Sequence, residues 1–146
     1  TLVSSESKGF DAGKKVKGIK RHIITDTLGL VLAVVTQSAA LQDRDGAMEV
    51  ISKMSESWRA IVKLFADGGY RGKLIERIKT TFNIEMEIIK RNELHTFKVL
   101  PKRWIVERTF SWIDAQRRNS KNYERLNNTG VAMVQLSSIR IMLNRF

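Results

Sequence analysis

Two acids in this chain stand where an acid needs a reason. Asp67 closes the apolar run of "KLFADGGYRG" and is followed at once by Gly68 and Gly69, and Glu107 sits in "PKRWIVERTFSW" among Trp104, Ile105, Val106, Phe110 and Trp112. Glycines beside a carboxylate remove side-chain bulk, so that a large anion can approach the backbone. In a chain with 26 Lys+Arg against 15 Asp+Glu, a bare carboxylate is best matched by a cation. Magnesium takes one or two carboxylates from a protein and completes its octahedron with water and substrate phosphate oxygens. The chemistry therefore asks for a second acid, not a cluster of histidines, and Glu107 is the candidate. Arg103, four positions earlier on the same helical face, can orient that carboxylate or bind a phosphate beside it.

Each acid also has a plainer reading. A strand-terminal Asp before Gly-Gly is a common turn-former or cap, and Arg103 with Glu107 is a common helical ion pair. The residues alone leave both open.

Bulk properties narrow the partner. The chain has 146 residues, no Cys and two His, so disulfides and thiolate metal sites are out, a histidine zinc site is unfavoured, and any metal is held by oxygen. No apolar run approaches the roughly 18 to 20 residues that span a bilayer, and the start "TLVSSESKGFDAGKK" lacks the apolar core of a signal peptide, so a soluble cytoplasmic protein is expected. A net charge of +11 and a pI near 10.3 favour a polyanion, nucleic acid before acidic membrane, because phosphate contacts by Lys and Arg release condensed counterions. A first residue of Thr suggests an upstream part.

The elements that must position these acids follow from patterning. Residues 1–21, with Lys14, Lys15, Lys17 and Lys20, read as a basic loop, arm or edge segment. "HIITDTLGLVLAVVT" predicts an antiparallel hairpin, strands at about 22–25 and 30–36 around Asp26 and Gly29, the second buried on both faces and hence central. "QDRDGAMEVISKMSESW" predicts a helix capped by Asp43 or Asp45, with Ala47, Val50, Ile51, Met54 and Trp58 on its apolar face. Residues 61–66, a helix presenting Leu74, Ile75, Ile78 and Phe82, and a strand over 83–90 form a strand, helix, strand unit with parallel strands. Asp67 then lies at the carboxyl edge of a sheet, where open α/β proteins place ligands. Pro101 fits the first turn of a helix over about 102–119, and a last helix runs over about 129–144. Between these two helices "RRNSKNYERL" brings Arg117, Arg118, Lys121 and Arg125 together with Asn, Ser and Tyr, a mixture suited to phosphate and sugar contacts. The whole is one α/β domain, a mixed sheet with helices on its faces.

Taken together and in order, "KGIKRHIITDTLGLVLAVV", "QDRDGA", "ADGGYRG", "VLPKRWIVERTFSWI" and "RRNSKNYERL" resemble the catalytic domain of bacterial insertion-sequence transposases of the DDE type, from about Gly9 to Phe146. The resemblance implies a ribonuclease-H-like fold, a mixed five-stranded sheet flanked by helices with its first three strands antiparallel. It implies two magnesium or manganese ions held by Asp, Asp and Glu, which activate water and then a DNA 3′ hydroxyl for in-line attack on phosphodiesters. Asp67 matches the family's second Asp in D-G-G-Y-x-G, with Gly68, Gly69 and Tyr70 as its surroundings. Glu107 matches the Glu of the R-x-x-x-E pattern begun by Arg103. The family carries its first Asp on the opening sheet strand, in a segment resembling D-S-Q-S-V, and here the corresponding start, "TLVSSESKGF", holds no Asp. The first strand is accordingly expected to be missing. Asp11, in the basic loop, and Asp26, in the hairpin turn, are not assigned in its place. Relatives often carry Lys seven residues after the Glu, where this chain has Asp114.

Two functions follow as expectations. One is the catalytic part of a nucleoid-associated transposase, whose first Asp comes from an upstream fragment and which dimerises to synapse DNA ends. The other is a catalytically dead remnant that binds DNA through its basic faces. A basic membrane-surface or ribosomal-type protein is disfavoured, because it gives no reason for the placement of Asp67 and Glu107.

Overall fold

The structure, a computed structural model, describes residues 9–12, 16–89 and 102–145. The chain runs β1 (Gly9–Asp11), β2 (Val16–Thr25), β3 (Val31–Ser38), α1 (Asp43–Ser57), β4 (Lys63–Asp67), a 3-10 turn (Gly68–Tyr70), α2 (Lys73–Phe82), β5 (Glu85–Ile89), α3 (Arg103–Asp114) and α4 (Asn127–Leu143). Strands β1, β2 and β3 form an antiparallel sheet in that order, and β4 and β5 pair in parallel. The architecture is α/β with antiparallel and parallel sheets and helices against them, consistent with a ribonuclease-H-like domain. Among the described residues the strands form these two sheets and not the single five-stranded one.

The hairpin forms where expected and extends further. β2 begins at Val16, so the basic segment expected as a loop or arm is strand at 9–11 and from 16 onward, with β1 as the edge. β3 carries four consecutive buried residues, Val34 to Gln37. Since neighbours on a strand point to opposite faces, both faces are covered: Val35 packs into the cluster containing α1, and Val34 meets Ile113 of α3 and Val134 of α4. The expected central position is not found, because β3 lies at the other edge of its sheet. Helices on both sides, and not flanking strands, account for its continuous apolar run.

Three helix boundaries also differ. The cap of α1 is Gln42, without a side-chain bond. Asp43 is drawn to the Lys20 ammonium at 3.1 Å, and with Asp45 it sits in the first turn, where acids favour the helix dipole. Trp58, expected on the apolar face, follows the last turn and is exposed, while Ala47, Val50, Ile51 and Met54 are buried. α3 ends at Asp114, short of the expected 119, because the chain turns there so that the buried Asn119 side chain can donate to Met133 O and Ser137 Oγ of α4. Pro101 lies outside the described residues.

The larger core joins the two sheets. Val35 of β3, Val50, Ile51 and Met54 of α1, Leu74 and Ile78 of α2, and Met86 of β5 form one buried cluster, against which Ile24 of β2 and Leu64 and Ala66 of β4 also pack.

Candidate active site

Asp67 is the last residue of β4, and its side chain points away from the core that Leu64 and Ala66 enter. It caps the 3-10 turn, its Oδ1 accepting from Gly69 N at 3.0 Å. The glycines answer to identifiable contacts. A Cβ on Gly69 would stand 3.2 Å from Asp67 Oδ1, and one on Gly68 would stand 2.8 Å from an Arg71 guanidinium nitrogen. Arg71 thus lies over the backbone directly after the acid, a basic residue that the sequence motif contained but that spacing alone did not single out. Tyr70 is half-buried. Burial, with smaller contributions from the Asp43 and Asp67 charges, pushes its phenol up to about 12, so it stays protonated as a hydrogen-bond donor.

Glu107 lies on the exposed side of α3, where Arg103 Nε donates to its Oε1 at 3.1 Å. Both plain readings of the acids are therefore realised as local contacts. Each contact uses one carboxylate oxygen, and among the described residues Asp67 Oδ2 and Glu107 Oε2 accept no hydrogen bond.

Asp67, Glu107, Gly69, Tyr70 and Arg103 line one cleft of about 1170 Å³. Its walls include consecutive residues of β2, from Gly18 through Thr25, and all five of β4. β1 pairs only with Val16 to Gly18 of β2, so among the described residues Ile19 to Thr25 have β3 as their one neighbouring strand. Since side chains alternate along a strand, consecutive lining means that this part of β2, and β4, meet the cleft edge-on. Lys102 adds basic charge there, while Lys63 is paired with Glu87 at 2.8 Å. Lys102 Nζ lies 3.5 Å from the centroid of the Phe65 ring on β4, a cation–π contact that ties the start of α3 to the strand ending in Asp67.

For a divalent cation, Asp67 and Glu107 offer hard carboxylate oxygens, which fits magnesium or manganese. Two acids lie within the one or two that a protein ordinarily supplies to magnesium, and no group of three or more His, Cys, Asp or Glu gathers among the described residues. The third carboxylate implied by the sequence resemblance is not found there.

The basic residues proposed for DNA separate into two kinds. Lys17, Arg117, Lys121 and Arg125 are exposed, Lys121 borders the cleft, and none makes an ion pair among the described residues. Lys20 bridges Asp11 and Asp43 at 3.2 and 3.1 Å, and Arg118 donates to the buried Glu124 at 2.8 Å. Burial works against protonation of Lys20, yet its hydrogen bonds to Asp43 and Asp11 outweigh it and hold the pKa up. Lys14 and Lys15 lie outside the described residues. No described helix is long and apolar enough to cross a membrane.

The chain is thus an α/β domain of strongly basic net charge in which Asp67 and Glu107, with Arg103, Lys102 and Lys121 among its cations, border one large cleft, a layout suited to contact with nucleic-acid phosphates. Residues 2–142 match the family described as "Transposase DDE domain", and the chain belongs to it. It is similar to a Burkholderia cepacia protein titled "Putative transposase for insertion sequence element IS402", at 28% identity over 134 residues. That alignment takes in 87% of this chain and 64% of the relative, so the chain spans less than two thirds of the relative's length. No solved structure matches the chain.

Proposed function

We propose that the chain is the metal-dependent catalytic part of a DNA transposase, cutting and joining phosphodiesters with Asp67 and Glu107 as two of its metal ligands. The observation that carries this reading is that two acids distant in sequence, on β4 and α3, line one cleft in a member of the transposase DDE family.

Asp67 and Glu107 would hold Mg2+ or Mn2+, which, when bound, supplies charge stabilisation at phosphoryl oxygens and a more nucleophilic oxygen at neutral pH. The chain's own groups do the rest. Arg103 holds Glu107 from one side and leaves one oxygen outward. Gly68 and Gly69 let the DNA backbone approach the strand end, and the protonated Tyr70 phenol can donate toward it. Lys17, Arg117, Lys121 and Arg125 take the flanking phosphates. The third carboxylate is proposed to come from an upstream segment, a reading supported by the edge-on presentation of β2 and β4, which suits an added strand. A synaptic homodimer acting on nucleoid DNA completes the proposal.

The test is a nicking and joining assay on end-labelled DNA with Mg2+ or Mn2+, using the chain alone and with an upstream segment added. Low activity of the chain alone, rising with the segment and abolished by Asp67→Ala with DNA affinity intact, supports the enzyme reading. Tight DNA binding without cleavage under every condition supports the alternative, a remnant that only binds DNA. Robust magnesium-dependent joining by the chain alone would refute the need for a third acid from outside.

A further inference from the structure

The turn between β2 and β3 does more than close a hairpin. Asp26 builds it, its Oδ1 accepting from Leu28 N at 2.9 Å and Leu30 N at 2.8 Å, while Gly29 N donates to Asp26 O at 3.1 Å. The Leu28 and Gly29 carbonyls are thereby turned toward α3. They are taken there by consecutive side chains: Arg108 donates to Leu28 O at 2.8 Å, and Thr109 Oγ1 donates to Gly29 O at 2.7 Å. Thr109 is 1% exposed, and its hydroxyl also lies 3.0 Å from Ile105 O, so its one proton favours the shorter contact across the interface.

Gly29 is required at this point twice over. Its φ is +88°, in the left-handed region that favours glycine. A Cβ there would stand 2.8 Å from Thr109 Oγ1, 3.1 Å from Arg108 and 3.2 Å from the Trp112 ring. The cavity bordered by Gly29, Thr109 and Trp112 measures only about 10 Å³, about the limit for one water, so the contact is packed. Arg108 is further fixed by stacking against Trp104 and Trp112, with its guanidinium carbon 4.4 and 4.5 Å from their ring centroids.

Glu107 immediately precedes this pair. At about 100° per residue, Thr109 lies nearly opposite Glu107 around the helix, so whatever grips Thr109 sets the direction in which Glu107 is presented. We infer that the Asp26–Gly29 turn is a positioning element: by gripping Arg108 and Thr109 it fixes the rotation of α3 and aims Glu107 into the cleft. Its importance to the reaction rests on Glu107 being a metal ligand, whereas the positioning itself does not.

The closing experiment separates the two. The chain has no cysteine, so spin labels placed through Asp67→Cys and Glu107→Cys report one distance by pulsed electron resonance in the full chain. The background chain and Thr109→Ser, which keeps the hydroxyl, should give one narrow distance, and Thr109→Val, which removes it at nearly constant size, should broaden or shift it. Arg108→Lys serves as a second probe should Thr109→Val fail to fold, since a lysine cannot reproduce the stacked guanidinium. An unchanged distance in Thr109→Val, or in Arg108→Lys where that probe is used, overturns the proposal. In parallel, Mn2+ affinity is measured on the chain with both acids intact. Thr109→Val should weaken it by about tenfold or more, as removal of a ligand-orienting group does, and Thr109→Ser should restore it. If Glu107→Gln leaves Mn2+ affinity unchanged, the ligand reading fails while the distance result still decides the positioning. If Glu107→Gln removes binding and Thr109→Val does not, the positioning proposal fails.

Discussion

Arg21 of β2 reaches across to Asp114, the last residue of α3, at 3.3 Å, and the same guanidinium nitrogen donates to Asn119 O at 3.0 Å. The pair gives Asp114 a structural use: it ends α3 against β2 at the point where the chain turns toward α4. The carboxylate is half exposed, and exposed pairs contribute only about 0–1 kcal/mol. Asp114→Lys should therefore change the unfolding midpoint by a few degrees at most. It also exchanges an acid for a base at the cleft rim, so DNA affinity should rise, with the slope of log K against log salt steepening by up to about 0.9 if the new lysine meets one phosphate. A titration of DNA affinity at four salt concentrations checks this, and a large loss of stability would show that the pair does more than its exposure suggests.

Asp67→Asn and Glu107→Gln change charge while keeping shape. Under the proposed function each should weaken Mn2+ binding by at least about 100-fold, since a ligand is worth no less than the contacts that orient it. DNA affinity in the absence of metal should stay the same or rise slightly, because an acid facing phosphate has been removed. Calorimetry with Mn2+ and fluorescence anisotropy with a DNA duplex separate the two effects.

Much of this site can be read from the chain, and the reasons it stops are local. Asp67 and Glu107 stand out because an acid next to Gly-Gly, or set in an aromatic run, conflicts with its surroundings. Thr109 and Arg108 do not: a threonine and an arginine on a helix look ordinary until Gly29 arrives opposite them from 80 positions away. The burial of β3 was legible from its unbroken apolar run, but its place at a sheet edge was not, because burial by helices and burial by strands leave the same composition. The end of α3 was missed for a related reason, since Asn119 continues the sequence pattern but is claimed by Met133 and Ser137 of α4.

Ile113 is fully buried at the meeting of α3, β3 and α4, against Val34 and Val134. Ile113→Ala should cost about 2–5 kcal/mol, through forfeited transfer energy and the cavity left behind. Urea unfolding should show a lower midpoint with an unchanged slope. Because the smaller core here holds the helix that carries Glu107, under the proposed function metal affinity should fall as well, whereas Met54→Ala in the larger core should destabilise comparably with less effect on Glu107.

The basic residues should divide by their partners. Arg117→Ala, Lys121→Ala and Arg125→Ala remove exposed cations that have no ion pair among the described residues. For each of them that meets a DNA phosphate, the substitution should lower the salt slope by about 0.9 without moving the unfolding midpoint. Lys20→Ala unlinks β1 and the first turn of α1 and should show the reverse pattern, lower stability with a smaller change in slope.

His22 supplies the pH prediction. Its ring is buried against Gly46 of α1, and Nε2 has no hydrogen-bond partner among the described residues. Burial holds its pKa below 6.5; Asp43 and Glu49 favour the charged form and Lys20 opposes it, but burial prevails. A folded pKa below the unfolded one means that the unfolded chain binds more protons between the two values. Stability from this residue is then complete above about pH 6.5 and declines as pH falls from there toward the folded pKa. Protonation would leave a charged ring whose buried Nε2 has no acceptor among the described residues. The unfolding midpoint should accordingly drop by a few degrees from pH 7.5 to 5.5, above the range where Glu87, held down by Lys63, begins to protonate. His22→Gln should flatten that dependence whatever it does to the midpoint itself, and an equal slope in the variant would assign the effect elsewhere.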